Sequence, residues 1–167
     1  LNLSGCGQLE GGCLVAVVDG CPNLRSLNTS RCTQLQSWAY HKLFSCCHAL
    51  ENLDVSFTEF TNEEMLALAQ NVTTLVSLNV TACPQISDSG FDVLAKRSPN
   101  LESLITVRHA LAFRVTDMSL LAISQRCSIL QQLDITGCDF VTDVGTNWLA
   151  QGCPHLTDIN LTGCNKV

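Results

Sequence analysis

A leucine spacing that recurs along the whole chain constrains its fold more than any other feature. The second member of a leucine-x-x-leucine pair, or an aliphatic equivalent, falls at residues 27, 53, 78, 104, 133 and 159, and Leu1 extends this series backwards. The steps between these residues, which we call the repeat anchors, are 26, 26, 25, 26, 29 and 26 residues. Such a period is typical of solenoids in which every repeat is one supersecondary unit. The spacing therefore predicts a single array of about six repeats over residues 1–167.

Each repeat begins with a short predicted strand. Apolar or small residues occupy the anchor and the position two residues later, as in Leu53 and Val55. Because side chains alternate between the two faces of a strand, both positions face inward. Five residues after the anchor, five of the seven repeats carry a cysteine: Cys6, Cys32, Cys83, Cys138 and Cys164. A small, weakly polar thiol suits a position where the chain turns away from the strand and stays in the interior.

The second half of each repeat is predicted to be a helix. Ser87–Asp88, Thr116–Asp117 and Thr142–Asp143 each combine a capping hydroxyl with a carboxylate that favours the positive end of the helix dipole. Thr61–Glu64 has the arrangement of a capping box. Apolar residues then recur at helical spacing, and prolines such as Pro154 follow where the helix is expected to end. Each repeat is therefore predicted as strand, turn, helix and loop.

The composition excludes several classes of protein. Hydrophobic residues make up 46% of the chain and charged residues only 14%, which argues against intrinsic disorder. With nine lysines and arginines and a formal net charge of −6, the chain has too few basic residues for the basic face that a nucleic-acid-binding protein needs. Apolar runs fall far short of the ~18–20 residues of a membrane span, and no signal-peptide pattern is present. We therefore expect neither a nucleic acid nor a membrane as partner.

The repeat phrase, leucine-x-x-leucine-x-leucine-x-x-cysteine, resembles the cysteine-containing leucine-rich repeat. The segment Val141–Cys164 shows it most clearly, with the sequence VTDVGTNWLAQGCPHLTDINLTGC. The subtype is best known from the substrate-binding domains of F-box/LRR proteins in SCF-type ubiquitin ligases. The resemblance covers essentially the whole chain and implies a right-handed α/β solenoid, with a curved parallel sheet on the concave side and helices on the convex side. The departures from the repeat pattern are Thr29, Thr58, Thr106 and His109.

The resemblance implies a protein-recognition scaffold without catalytic activity. The leading interpretation is the substrate-binding repeat region of an F-box/LRR-type receptor of an SCF ubiquitin ligase. The alternative is a structural or regulatory subunit of a large ciliary or cytoskeletal assembly, because the subtype also occurs without an F-box. We expect a segment of a larger protein with flanking repeats of the same chain at both ends. The expected location is the cytoplasm, with the nucleus and the cilium as alternatives.

The eleven cysteines are expected to be free thiols. Nine of them fall at two phases of the repeat, the position described above and a second one at Cys21, Cys47, Cys127 and Cys153. Disulfides between stacked cysteines and a zinc site at 46–48, which reads Cys-Cys-His, are the alternatives. No motif of catalysis or phosphate binding is present, so we expect no catalytic residue, no cofactor and no metal.

Five asparagines lie in the N-x-S/T pattern of glycosylation sites, which by itself suggests an extracellular receptor. Four of the five, however, follow an anchor directly: Asn2, Asn28, Asn79 and Asn160. They are therefore interpreted as a polar ladder of strand residues on the concave face. An extracellular ectodomain remains the third class of function, and it predicts glycans and disulfides.

Side chains that alternate with the inward ones are predicted to line the concave face, which is the usual binding surface of a solenoid. These positions are mostly small and neutral, with three aspartates and no lysine or arginine. Such a face suits a basic or hydrogen-bonding protein segment. The residues directly after the anchors are the candidate contacts: Asn28, Asp54, Asn79, Asp134 and Asn160.

One repeat breaks the pattern and is the predicted centre of partner binding. Thr106 occupies the inward position while its neighbours on either side are aliphatic, and the step to the next anchor is 29 residues. An outward aliphatic pair beside a longer loop is a candidate hot spot for a protein partner. The alternative is that the loop 110–114 folds its apolar residues onto the core. The candidate contacts of this repeat are Ile105, Val107, Arg108, Phe113 and Arg114.

Overall fold

The computed structural model describes residues 1–107 and 115–167, in which helices of ten residues alternate with strands of three. The helices are α1 (Gly11–Gly20), α2 (Ser37–Cys46), α3 (Asn62–Asn71), α4 (Asp88–Arg97), α5 (Asp117–Arg126) and α6 (Asp143–Gly152). The strands are β1 (Ser26–Asn28), β2 (Asn52–Asp54), β3 (Ser77–Asn79), β4 (Ser103–Ile105), β5 (Gln132–Asp134) and β6 (Asp158–Asn160). In the described ranges, no helix has the length and hydropathy needed to cross a membrane.

The strands form one parallel sheet in chain order, β1-β2-β3-β4-β5-β6. The anchors pair with one another across every strand boundary, from Leu27 and Leu53 through to Leu133 and Ile159. This register runs unbroken from β4 to β5, although that step is the longest one. The connection from β4 to α5 contains the extra residues. Six parallel strands that alternate with helices confirm the predicted α/β solenoid class.

One continuous apolar core lies between the sheet and the helices. The anchors Leu53, Leu78 and Leu104 are at most 2% exposed, and burial of such a side chain contributes roughly 1.5–3 kcal/mol. The anchors of the outermost repeats, Leu1 and Ile159, are 47% and 41% exposed, because only one neighbouring repeat packs against each. Burial of the apolar core therefore depends on the stacking of repeats.

A left-handed backbone conformation recurs at the fourth residue after the anchor. In the described part of the chain, φ lies between 56° and 77° at these positions: Gly5, Arg31, Phe57, Ala82, Gly137 and Gly163. Three of the six are glycines, which adopt this conformation without steric cost. For the other three, the conformation costs roughly 1–2 kcal/mol. The turn that directs each cysteine inward therefore requires this conformation even where the sequence lacks glycine.

The helix starts agree with the sequence-based prediction in three repeats and differ in one. Thr61 forms the predicted capping box with Glu64, and the hydroxyls of Thr116 and Thr142 each accept a backbone N–H of the first helical turn. The hydroxyl of Ser87 makes no such bond; it accepts the side-chain amide of Asn62 in the preceding repeat at 2.8 Å. The predicted cap of α4 is therefore wrong, because this hydroxyl bonds to a neighbouring repeat.

The first residue of a helix also binds the next repeat. Asp117 accepts three hydrogen bonds: the N–H of Thr142 at 2.8 Å, its hydroxyl at 2.7 Å and the N–H of Gly145 at 3.2 Å. Asp88 accepts the N–H and the hydroxyl of Thr116 in the same way. A Cβ atom at Gly145 would lie 2.4 Å from Oδ1 of Asp117, so glycine there makes room for the carboxylate. These aspartates therefore fasten consecutive repeats together, beyond their expected effect on the helix dipole.

The repeat cysteines donate hydrogen bonds across the same boundaries. Sγ of Cys83 lies 3.2 Å from the carbonyl oxygen of Val55, and Sγ of Cys164 lies 3.2 Å from that of Ile135. Cysteines of the second phase follow the helix ends and contact each other similarly; Sγ of Cys153 lies 3.5 Å from the carbonyl oxygen of Cys127. All eleven cysteines are free, as predicted, but Cys6, Cys13 and Cys21 are exposed because they belong to the first repeat.

We expect thiol reagents to separate the cysteines into two groups. Burial raises the pKa of the Cys83 thiol to about 11 and that of Cys127 to about 12, from an ordinary value of 9.0. A pKa raised by two units lowers the reactive thiolate fraction about a hundredfold at neutral pH. In the folded protein at pH 7.5, alkylation followed by mass spectrometry should therefore label Cys6, Cys13 and Cys21 first. In denaturant all eleven should react, and several unreactive ones would indicate disulfides.

Two threonines occupy the inward position after an anchor and differ in their hydrogen bonding. Both Thr29 and Thr106 are at most 1% exposed. The hydroxyl of Thr29 lies 3.2 Å from that of Tyr40, whose pKa is raised to about 12, chiefly by burial. The hydroxyl of Thr106 has no hydrogen-bond partner within the described residues. Burial without a partner is costly for a hydroxyl, so these two sites should respond oppositely to its removal.

Replacing each threonine by valine tests this difference. Thr29→Val is expected to lower the free energy of unfolding by about 0.5–1.5 kcal/mol, because Tyr40 loses a hydrogen bond. Thr106→Val is expected to leave this free energy unchanged or to raise it by up to about 1 kcal/mol, because no bond is lost. Urea unfolding of the two variants measures both. A larger loss in the free energy of unfolding for Thr106→Val than for Thr29→Val would contradict the hydrogen bonding assigned to the two hydroxyls.

Candidate functional site

The face of the sheet opposite the helices, which we call the open sheet face, carries the side chains that alternate with the anchors. Those directly before the anchors are exposed or half-buried, as in Ser26 and Gln132. Those directly after them are mostly half-buried, as in Asp54 and Asp134. Ser56, predicted to face outward, is only 5% exposed. The side chains of the open sheet face are therefore small and polar, as the sequence predicts, although Ser56 is buried.

The asparagines and aspartates directly after the anchors form a hydrogen-bonded series, which we call the Asx ladder. Oδ1 of each accepts the backbone N–H two residues later at 2.9–3.1 Å. Between repeats, Oδ2 of Asp54 accepts the amide groups of Asn28 at 3.4 Å and Asn79 at 3.3 Å. Five of its members are also predicted contacts, Asn28, Asp54, Asn79, Asp134 and Asn160, and Asn2 makes the same bond to the N–H of Ser4 at 2.9 Å. The ladder gives these residues a structural role at the strand ends that the sequence analysis missed.

Ile105 interrupts the Asx ladder between Asn79 and Asp134. An isoleucine offers no oxygen to the backbone and no amide to its neighbours, so the side-chain bonds stop on both sides of it. Oδ2 of Asp134 therefore accepts one amide, from Asn160 at 3.2 Å, where Asp54 accepts two. Ile105 and Val107 are both half-buried. The anomalous repeat thus combines partly exposed aliphatic side chains with an acceptor that lacks its second donor.

A pocket of about 160 Å³ lies on the open sheet face at this interruption. Drug-sized ligands occupy roughly 300–1,000 Å³, so this pocket suits a single side chain. Two aspartates line it, and Asp158 makes no ion pair or side-chain hydrogen bond within the described residues. The lining residues are Ile105, Gln132, Leu133, Asp134, Asp158 and Asn160. We call this the Ile105 pocket; it joins three members of the predicted contact set, Ile105, Asp134 and Asn160.

The remaining predicted contacts divide into two groups. Val107 is half-buried, and its carbonyl accepts the N–H of Ala82 at 3.0 Å. Arg108, Phe113 and Arg114 lie outside the described residues, as does the loop 110–114. Asp158 and Gln132 were not among the predicted contacts, although both precede an anchor at an outward position. Their phase in the repeat was the signal that could have identified them.

The structure does not assemble the metal site considered at residues 46–48. Nδ1 of His48 lies 3.0 Å from the carbonyl oxygen of Asn71, and Sγ of Cys47 lies 3.6 Å from that of Cys21. Across residues 1–107 and 115–167, no three histidine, cysteine, aspartate or glutamate side chains come together as metal ligands. A second pocket, of about 460 Å³, lies at the helix starts beside Ser87 and Phe140.

Comparison with known proteins identifies the repeats. A family profile described as "Leucine Rich repeat" matches residues 126–145. The chain is a cysteine-containing leucine-rich-repeat protein. It is 32% identical over 136 residues to F-box/LRR-repeat protein 23 of Arabidopsis thaliana, covering 79% of this chain and 30% of that protein. It is 27% identical over 139 residues to F-box/LRR-repeat protein 4 of Bos taurus, covering 83% of this chain and 22% of that protein. The resemblance to the repeat domains of F-box/LRR proteins is confirmed.

A third relative does not carry the F-box in its name. The chain is 30% identical over 129 residues to the Antagonist of mitotic exit network protein 1 of Saccharomyces cerevisiae, covering 75% of this chain and 22% of that protein. Among solved structures, a chain of the yeast Rad7 and Elc1 complex superposes with a TM-score of 0.66 at 21% identity, covering 100% of this chain and 50% of that one. This likeness shows the fold. The chain spans less than a third of the length of these three curated relatives.

Proposed function

We propose that this chain recognises a protein partner on the concave, open sheet face, with the contact centred on Ile105 and Val107. The observation that carries the proposal is the interruption of the Asx ladder. In the intact part of the ladder, neighbouring side chains bond to one another, as Asn28, Asp54 and Asn79 do. At Ile105 the described residues offer an aliphatic surface beside incompletely paired carboxylates, the combination of an apolar centre and a polar rim that partner surfaces use.

The similarity to F-box/LRR proteins supports a more specific proposal. In this proposal the repeats are the substrate-binding region of an SCF-type ubiquitin ligase receptor, and the partner is the protein that the ligase modifies. The repeats bind and orient the substrate while other subunits catalyse the transfer. The cytoplasm, the reducing compartment in which free thiols persist, is the proposed location.

Replacing the aliphatic pair tests the binding surface. The double change Ile105→Ser with Val107→Ser is expected to weaken binding of a validated partner at least tenfold, about 1.4 kcal/mol, with little change in the melting temperature. The matched control is Met118→Ser with Val144→Ser, which removes two exposed apolar side chains at the starts of α5 and α6, on the helix side. Unchanged binding and stability in the first variant would remove this repeat from the recognition surface.

The ligase assignment is tested separately with the full-length protein. Affinity purification should recover the adaptor and cullin subunits of an SCF-type ligase, and the captured partner should accumulate when the Ile105→Ser with Val107→Ser variant replaces the wild type. Recovery of the partner without ligase subunits would overturn the ligase assignment and leave the recognition scaffold intact. That outcome favours the regulatory alternative, which the similarity to the yeast antagonist of the mitotic exit network supports.

A further inference from the structure

We propose that the Ile105 pocket receives the cationic side chain of an arginine from the partner. The inference rests on the proposed function and names the chemistry of the bound segment. An arginine carries a charged, planar group at the end of an aliphatic stem, and the pocket presents both kinds of surface. Its aliphatic wall is Ile105, and its acidic wall is formed by Asp134 and Asp158.

Asp134 has unused hydrogen-bonding capacity at the pocket. In the intact part of the Asx ladder, Asp54 accepts amide groups from the repeats on both sides of it. Asp134 accepts one from Asn160, because Ile105 stands where the other amide would be. A donor from outside can take this place at Oδ2. Oδ1 is already bonded to the N–H of Thr136, which fixes the orientation of the carboxylate.

The negative charge of the pocket is not balanced by a basic side chain of the described residues. Asp134 and Asp158 line the same pocket, and neither has a lysine or arginine within salt-bridge distance in the described parts of the chain. Two carboxylates without a cation favour a positively charged ligand. Some carboxylates elsewhere on the surface do have a basic neighbour, as in the pair of Asp92 with Lys96 at 2.6 Å. The pocket therefore brings together two of the three aspartates of this face.

The size and lining of the pocket favour arginine over lysine and over a small molecule. A volume of about 160 Å³ accommodates one side chain, and the polar lining groups lie on two adjacent strands, β5 and β6. A guanidinium group has five N–H donors in a rigid plane and can bond to several acceptors at once, whereas an ammonium group is a compact point charge. The carboxylates of Asp134 and Asp158, with the side-chain oxygen of Gln132, supply such a set of acceptors.

Two peptides that differ in charge alone test the inference. The probe is Ac-Leu-Ala-Arg-Ala-Leu-amide, and the comparison peptide has citrulline, the neutral isostere, in place of arginine. Titration of the 15N-labelled 167-residue chain is followed by NMR. The arginine peptide is expected to shift the amide signals of Ile105, Asp134 and Asp158 and to bind at least tenfold more tightly than the citrulline peptide. Equal affinities, or shifts confined to other parts of the chain, would overturn the proposal.

Two aspartate-to-asparagine variants show where on the chain the arginine peptide binds. Asp158→Asn removes one carboxylate and is expected to weaken binding of the arginine peptide at least tenfold. Asp143→Asn, which makes the same change in net charge at the exposed start of α6, is expected to leave binding unchanged. An equal effect of both variants would show general charge attraction and would contradict a built pocket. A lysine peptide is expected to bind more weakly than the arginine peptide; the opposite order would overturn the preference for a guanidinium group.

The test separates this inference from the proposed function. A validated partner whose binding falls with Ile105→Ser and Val107→Ser but not with Asp158→Asn would overturn the arginine pocket and retain the recognition surface. If the pocket binds the arginine peptide but the Ile105→Ser with Val107→Ser variant binds the partner as tightly as the wild type, the arginine pocket is retained and the proposed function is overturned. Loss of partner binding in both variants supports both.

Discussion

Leu133→Ala is expected to lower the free energy of unfolding by about 2–5 kcal/mol. Leu133 is 2% exposed and lies in β5, paired with Leu104 of one neighbouring repeat and Ile159 of the other. The substitution therefore opens a cavity in a core shared by three repeats, and the fixed strand spacing limits the collapse of that cavity. Urea unfolding followed by circular dichroism measures the loss.

Gln132→Ala is the matched control for the Leu133 variant. Gln132 is the preceding residue in the same strand and is exposed, so its truncation should change the free energy of unfolding by less than about 0.5 kcal/mol. A larger loss at Gln132 than at Leu133 would mean that the two faces of the strand are reversed. The same order is expected for every anchor that lies between two repeats.

Gly152→Ala is the second substitution with a large expected effect. Gly152 is the last residue of α6, and a Cβ atom there would lie 2.1 Å from the carbonyl oxygen of Ser124 in α5. Backbone atoms cannot move aside as a flexible side chain can, so α5 and α6 must separate. We expect the free energy of unfolding to fall by about 1–3 kcal/mol, the usual cost of overpacking.

Gly20→Ala makes the same change without the contact. Gly20 is the last residue of α1, and no atom lies within 4 Å of the Cβ position. Alanine should therefore stabilise the protein by about 0.4–1 kcal/mol, because it restricts the unfolded chain more than glycine does. Thermal unfolding of the two variants is expected to give shifts of opposite sign. Shifts of the same sign would show that the packing of α5 on α6 is looser than the structure has it.

The sequence predicts the elements of this fold well because each depends on residues within one repeat. The alternation of Leu53 and Val55, for example, is sufficient to assign a strand and its inward face. The cysteine positions follow from the same period, since a small interior side chain is needed at one place in every turn. The position of a residue within the repeat therefore predicts the strands, inward faces and cysteine positions that form within one repeat.

Interactions between repeats could not be predicted in the same way. The carboxylate of Asp117 was expected to act on its own helix, yet it accepts hydrogen bonds from Thr142 and Gly145 of the next repeat. The left-handed turn at Phe57 was also missed, although glycines occur at the same phase in other repeats. Both features depend on the distance between neighbouring turns, which a pattern within one repeat does not contain.

At the candidate site, too, features within one repeat were predictable and features between repeats were not. The departure at Ile105 was visible in the sequence, because isoleucine replaces a polar residue at a fixed phase. Its consequence for Asp134 was not visible, because the Asx ladder that it interrupts exists only when the repeats are stacked. The sequence places Asp158 on the open sheet face by its phase but not beside Asp134, because the pocket that both residues line forms only when β5 and β6 are paired.

The unbroken register between β4 and β5 has a consequence for how such a repeat array can accept insertions during evolution. Three additional residues between β4 and α5 leave the pairing of Leu104 with Leu133 intact. The pairing of neighbouring strands and the length of the connection that follows a strand are thus independent of each other. An insertion between a strand and its helix can therefore lengthen one loop while the strand register of the array is kept.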